Sequence, residues 1–248
     1  MRYLNNTQIR QMLALVDTRS PSGRRNALLT LFLVATGLRL KEVEQLLIGH
    51  VAEAMLARPE LALPAKLSRT RQCRLLPLGE LARSCIHKLL ALYAKNGFSI
   101  DSTAPLFQET GGRPMRVESM KKVLRSQAKR AGISGELTST AFRRVCGHRL
   151  HQRGRDLFDI ADILGLKTLG AVLKYVPVGE EAAVELLLRS CDPEVWNRES
   201  MAKLLHFHFG WWDQKRCQAV ARNWHREETK RARSGLERAP RLRVVGKG

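Results

Sequence analysis

Apolar positions recur at helical spacing from the start of the chain. Asn6 or Thr7 can cap a first helix whose Ile9, Met12, Leu13 and Val16 fall on one side. Ser20 followed by Pro21 predicts a second helix, with an apolar run from Ala27 to Ala35 that ends at Gly37. A short third helix follows from Leu40, with Val43, Leu46 and Leu47 on one side. The texture then changes. Val51 to Met55, Leu61 to Leu63 and Cys73 to Leu76 are short segments separated by Pro59, Pro64 and a basic loop, and read as three antiparallel strands. Helices resume at Leu81 to Ala94 and Val117 to Ala131, flanking a Gly111-Gly112-Arg113-Pro114 turn. Three more are predicted over 140–153, 156–164 and 168–175. Beyond Pro177, Glu180 to Arg189 reads as helix, Asp192-Pro193 as another start, and 199–233 as one or two further helices. The fold class is mainly α with a small antiparallel three-stranded sheet.

Charge changes this picture more than composition does. The chain has 248 residues, enough for a real core, and carries 43 Lys and Arg against 23 Asp and Glu, a net charge of +20. A field of that size concentrates polyanions, and nucleic acid, whose phosphates pair with Lys and Arg, is the leading partner. A membrane is the rival, but no apolar run approaches the ~18 residues of a span, and Met1 to Asn6 has no signal core. The chain is therefore expected in the cytoplasm. From Lys215 onward, 11 Lys or Arg face 3 acidic residues, so the last segment is strongly basic. Cys73, Cys85, Cys146, Cys191 and Cys217 are scattered without a C-x-x-C pair, which suits neither a disulfide framework nor a zinc cluster. His206-Phe207-His208 beside Trp211 and Trp212 has no nearby acid or cysteine and fits a packing or interaction face better than zinc.

Several boxes carry a sharper signal. Thr36-Gly37-Leu38-Arg39-Leu40-Lys41-Glu42 places a helix-ending glycine before an arginine, with an acid three residues on. Arg143 stands eleven residues before Gly154, and Tyr175 stands nine residues after the position that follows Leu164-Gly165. Arg69-Thr70-Arg71-Gln72-Cys73-Arg74 leads into Leu75-Leu76-Pro77-Leu78. In this order and register the boxes, spanning about residues 3 to 178, resemble the phage integrase (tyrosine recombinase) family. The resemblance implies that family's catalytic-domain fold and chemistry: double-stranded DNA broken and rejoined through a 3′-phosphotyrosine, without metal or nucleotide. It implies Tyr175 as nucleophile and Arg39 and Arg143 as phosphate clamps, with Glu42 supporting Arg39. Arginine suits that part because its planar fork grips two oxygens and never loses its proton.

The chain departs from the family pattern at three positions. Arg69 stands where the family has its catalytic lysine, and Lys66 lies three residues earlier. Thr140 replaces the histidine of the H-x-x-R box, and Leu166 replaces the histidine or tryptophan after Leu-Gly. Losing one acid–base group costs on the order of 10²–10⁴ in rate. Lys66, His148 or His151 are the candidate substitutes for moving a proton. Two readings follow: a site-specific recombinase, or a recombinase-fold DNA-binding protein with impaired cleavage that serves as an accessory or regulatory factor.

The expected organisation is a recombinase-like catalytic domain over 1–178 and a helical, basic extension over 179–248, for DNA contact or protomer interaction. Because similarity begins almost at Met1, the family's usual N-terminal DNA-clamping helical domain is expected to be missing, an arrangement that resembles the short fimbrial phase-switch recombinases. DNA contacts are expected from Arg71, Arg74 and Arg144, and from Lys215, Arg216, Lys230 and Arg231 in the extension. The resemblance further implies a homo-oligomer on DNA, a tetramer across two sites, open to an accessory protein.

Overall fold

The computed structural model describes residues 4–68, 71–133, 138–193 and 195–233. The chain forms two compact units, Met1–Arg155 with Asp162–Gly165, and Asp156–Ala161 with Leu166–Gly248.

The first unit begins with α1 (Asn6–Ala14), closed by a reciprocal cap in which Asn5 Oδ1 accepts from Gln8 N–H and Gln8 Oε1 accepts from Asn5 N–H. The sequence points to a cap one or two residues later, within the usual uncertainty of a helix end. Helix α2 (Pro21–Thr36) has Ser20 as its cap and Pro21 in its first turn, and it ends at Gly37 in the left-handed conformation, φ 62°. Helix α5 (Glu80–Lys95) and helix α7 (Ser139–Gln152) both pack on α2. Leu29, Phe32, Leu33, Leu90, Tyr93 and Phe142 are buried there almost completely. Each such side chain contributes about 1.5–3 kcal/mol on leaving water. Tyr93 keeps its hydroxyl satisfied by donating to Leu106 O and accepting from Gln108 N–H. Helix α6 (Val117–Arg130) packs beside α1 and α3 (Leu40–Glu44), and the four-residue α4 (Ile48–Val51) leads into the strands.

The expected small antiparallel sheet takes the form, among the described residues, of two separate two-stranded ladders instead of three strands in one sheet. Strand β1 (Ala52–Glu53) pairs with β2 (Leu56–Ala57), and β3 (Glu60–Leu63) pairs with β4 (Arg74–Pro77). The middle run from Leu56 to Leu63 is thus shared between two partners and interrupted at Pro59, which has no N–H to give a ladder. Leu61, Leu63 and Leu76 turn inward while Leu75 faces out. Leu63 is registered opposite Arg74, so Arg74 lies on the same face as buried Leu76.

The second unit takes in most of α8 (Leu157–Leu164), then α9 (Leu169–Val172), α10 (Glu180–Ser190), α11 (Arg198–His208) and α12 (Gln214–Arg233). Helix α9 is shorter than the predicted 168–175. Tyr175 N–H bonds back to Val172 O at 2.7 Å, a tight turn ahead of Pro177, which disfavours helix in the residue before it. The 199–233 region is two helices, α11 and α12, divided at Phe209 to Asp213. They pack along their length around Met201, Leu205, Phe209, Trp212, Cys217 and Ala221. Phe209 stacks on Trp212 with centroids 5.1 Å apart. Among the described residues no helix is long and apolar enough to cross a membrane.

Candidate active site

The turn from α2 into α3 sets the first arginine. With Gly37 left-handed, the chain reverses and Arg39 becomes the residue that caps α3. Glu42, in the first turn of α3, reaches back to its start. Its Oε2 accepts the Arg39 backbone N–H at 2.7 Å, and its Oε1 takes Arg39 Nη1 at 3.1 Å. From β4, Arg74 Nη2 donates to the same Oε2 at 2.8 Å. Glu42 is 2% exposed, so one buried carboxylate holds two guanidinium groups from separate elements. A buried charge is tolerable only when paired in this way.

Arg143, in the second turn of α7, is 3% exposed. Its Nη1 donates to Gly37 O at 2.5 Å and its Nη2 to Leu164 O at 2.6 Å. Arg39 Nη2 donates to Gly165 O at 3.2 Å. The Leu164–Gly165 backbone therefore receives both arginines expected in the clamp. Gly165 is required there for two reasons. It is left-handed at φ 60°, and a Cβ would lie 1.8 Å from Arg74 Nη1. Gly37 is equally constrained, since a Cβ would lie 2.6 Å from Leu164 Cδ2.

The cluster sets three guanidinium groups against one carboxylate, a locally cationic site that suits an oxyanion. Arg74 Nε and Nη1 are buried without a hydrogen-bond partner among the described residues. Burial pulls the Arg74 pKa below its ordinary value; Glu42 opposes this and the charge on Arg39 adds to it. Under-satisfied donors in a buried site call for a reason, and a phosphate oxygen is one.

The other sequence-predicted positions are distributed more widely. Lys66 is exposed in the turn after β3, and Arg69 lies outside the described residues. Thr140 is half-buried in the first turn of α7, and His148 and His151 follow on the same helix. Leu166 is half-buried, with its N–H bonded to Ala161 O at 2.8 Å. Tyr175 belongs to the second unit, half-buried just beyond α9. Of the residues expected to contact DNA, Arg71, Lys215, Arg216, Lys230 and Arg231 are exposed, whereas Arg74 and Arg144 are largely enclosed. Arg216 pairs with Glu180 at 2.8 Å and lies over the Trp212 ring at 3.9 Å. Lys230 and Arg231 pair with Glu227 and Glu228 on their own helix.

Sequence reasoning brought together Arg39, Glu42 and Arg143 but missed that Glu42 also holds Arg74. The signal was available in the alternation of β4, where position 74 shares the inward face with Leu76. It also missed the part played by the carbonyls of Gly37, Leu164 and Gly165, which no side-chain motif reports.

Residues 2–181 match the model of the phage integrase family, and the chain belongs to that family. It is 27% identical over 192 residues to the tyrosine recombinase XerC of Herpetosiphon aurantiacus, covering 77% of this chain and 60% of that protein. It is 25% identical over 160 residues to the tyrosine recombinase XerD of Halalkalibacterium halodurans, covering 64% of this chain and 52% of the relative. The chain thus spans about half to three-fifths of the length of these relatives. Among solved structures, it resembles XerA recombinase with a TM-score of 0.57 at 19% identity, covering 75% of this chain and 64% of that one. It also resembles XerH site-specific recombinase bound to its palindromic difH substrate, TM-score 0.58 at 20% identity, over 75% of this chain and 51% of that one. The likeness establishes the recombinase fold.

Proposed function

We propose that this protein is a site-specific DNA recombinase that breaks and rejoins double-stranded DNA through Tyr175. The observation that carries the reading is the closed guanidinium cluster: Arg39 and Arg74 on Glu42, with Arg39 and Arg143 bound to the Leu164–Gly165 backbone. That cluster is fixed before any substrate arrives, and preorganised charge of this kind commonly supplies the largest catalytic term. Tyr175 Oη attacks the scissile phosphorus, the 5′ oxygen leaves and takes a proton, and a 3′-phosphotyrosyl bond forms. Attack by a 5′ hydroxyl on that bond reverses the step and rejoins the strand. Lys66 or Arg69 would serve the leaving oxygen. Arginine binds the phosphate well but gives up a proton poorly, since its pKa exceeds that of lysine by about two units or more.

In this reading residues 1–178 form the catalytic domain, and 179–248 add DNA or protomer contacts. XerH, similar in fold, is seen on its DNA substrate, which supports duplex DNA as the partner here. Assembly into a tetramer on two DNA sites and a cytoplasmic location belong to the same proposal. The competing reading, a DNA-binding accessory factor with impaired cleavage, is favoured by Thr140 and Leu166, neither of which can move a proton near neutral pH.

Nicked suicide duplexes drawn from the sequences flanking the gene test the two readings. Wild type should form a covalent protein–DNA band that Tyr175→Phe abolishes. Salt-sensitive DNA binding with no such band would overturn the enzyme and support the accessory factor.

A further inference from the structure

Tyr175 follows a helix too small to hold itself. Helix α9 has four residues, and helices of that length are unstable in water without tertiary support. What supports it is the end of α11 and the turn that joins it to α12. His208 Nδ1 accepts the Leu169 N–H at 3.1 Å, satisfying a donor at the start of α9 that has no partner within the helix. Thr168 caps the same end through Ala171 N–H. One residue further on, the contact becomes steric. A Cβ on Gly170 would lie 2.4 Å and 2.5 Å from two Trp211 ring carbons and 2.6 Å from His208 O. Only glycine lets the indole close over α9 in this way.

The brace is itself held. Trp211 Nε1 donates to Glu180 Oε2 at 2.6 Å, and Trp212 Nε1 to Glu180 Oε1 at 3.0 Å. Arg216 completes the carboxylate's partners. On its other side His208 meets the edge of Phe158, centroids 6.4 Å apart. Burial holds the His208 pKa down to about 4, so Nδ1 accepts throughout the neutral range.

We propose that His208 and Trp211 are positioning residues for Tyr175: the extension beyond the tyrosine braces, within the same chain, the short helix that delivers it. The proposal rests on the recombinase reading for its catalytic consequence, and on these contacts alone for the brace. In-line attack tolerates little error, and a displacement of about 1 Å can cost about 100-fold in rate. The extension then acts in the chemistry as well as in binding, and its aromatic residues have a use apart from its basic ones.

The test compares the full-length wild type with His208→Ala, His208→Asn and Gly170→Ala. Amide exchange across 169–176 reports the brace without reference to activity. It should quicken in His208→Ala and Gly170→Ala and return toward wild type in His208→Asn, whose amide oxygen can accept from Leu169 N–H. On the nicked duplexes, covalent-complex formation at saturating DNA should fall about 10- to 100-fold in the first two variants, with the DNA dissociation constant unchanged. Unaltered exchange in both variants overturns the brace. Faster exchange with an unaltered rate at saturating DNA overturns the positioning role. A wild type that forms no covalent complex counts against the recombinase reading alone, and the exchange comparison then decides the brace.

Discussion

Glu42 carries more of the arginine site than its place in a T-G-L-R-x-x-E box implies. It neutralises Arg39 and Arg74 together while 2% exposed, so replacing it by glutamine leaves two close cations with no counter-charge. Removing one partner of a buried ionic group typically costs about 3–5 kcal/mol. For a chain of this size that corresponds to a fall of roughly 10 °C in thermal midpoint. Lys41→Ala, one position earlier on the exposed side of α3, should stay within about 0.5 kcal/mol of wild type. Equal shifts in the two variants would show that the buried triad does not stabilise the unit. A second pair of substitutions addresses chemistry instead. Thr140→His and Leu166→His place an imidazole at the two positions where the family resemblance implies one. If proton handling limits the rate, each should raise covalent-complex formation on nicked duplexes, by up to about 100-fold for the better of the two. No gain from either, in protein that still folds, would show that cleavage does not wait on those groups.

At the level of elements, the sequence made the helices legible and hid the joints between them. Ser20-Pro21 and Gly37 marked both ends of α2 because capping and left-handed backbone are local properties. Helix α9 was overestimated because Leu169, Val172 and Tyr175 keep helical spacing, while Pro177 tightens the last turn. Arg74 read as a surface contact because its neighbours Leu75 and Leu76 obscure the alternation that turns it inward. His206 to Trp212 reads from sequence as a packing or interaction face, but the helix it packs on is not legible there, since bracing depends on where α9 lies in space. That brace has a pH dependence of definite sign. His208 is held neutral by burial, its pKa lowered from 6.5 to about 4. A folded value below the unfolded one means that the stabilisation is complete above about 6.5 and is lost as pH falls toward 4. Burial is the largest single influence on the Glu180 carboxyl and raises its pKa, but Trp211, Trp212 and Arg216 together outweigh it and lower the pKa, so the stabilisation from Glu180 is lost in the same direction at lower pH. Amide protection across 169–176, taken relative to the intrinsic exchange rate at each pH, should therefore fall between pH 7 and 4.5, and His208→Asn should flatten that profile. A profile as steep in the variant as in wild type would assign the acid sensitivity elsewhere.

At the scale of the whole molecule, the net charge of +20 makes attraction to a polyanion unavoidable, but not all of that charge is equally available. Arg39, Arg74 and Arg143 are gathered around Glu42 and backbone carbonyls in the candidate active site and lie away from the exposed basic surface. On α12, Lys230 and Arg231 lie beside Glu227 and Glu228, with which they form ion pairs. To bind a phosphate they must exchange an existing partner, so their net gain is small even though exposed pairs of this kind are individually weak. Lys215, Arg222 and Arg226 are exposed on the same helix and form no ion pair with an acid among the described residues. Each phosphate neutralised releases condensed counterions and adds about 0.9 to the slope of log affinity against log salt. If α12 lies on DNA, Lys215→Ala and Arg222→Ala should each lower that slope by about 1, and Lys230→Ala should lower it by clearly less. The measurement needs no knowledge of the target sequence, because phosphate contacts are common to every duplex. A slope unchanged in a Lys215, Arg222 and Arg226 triple alanine variant would remove α12 from the DNA surface and leave the extension with the tyrosine brace alone.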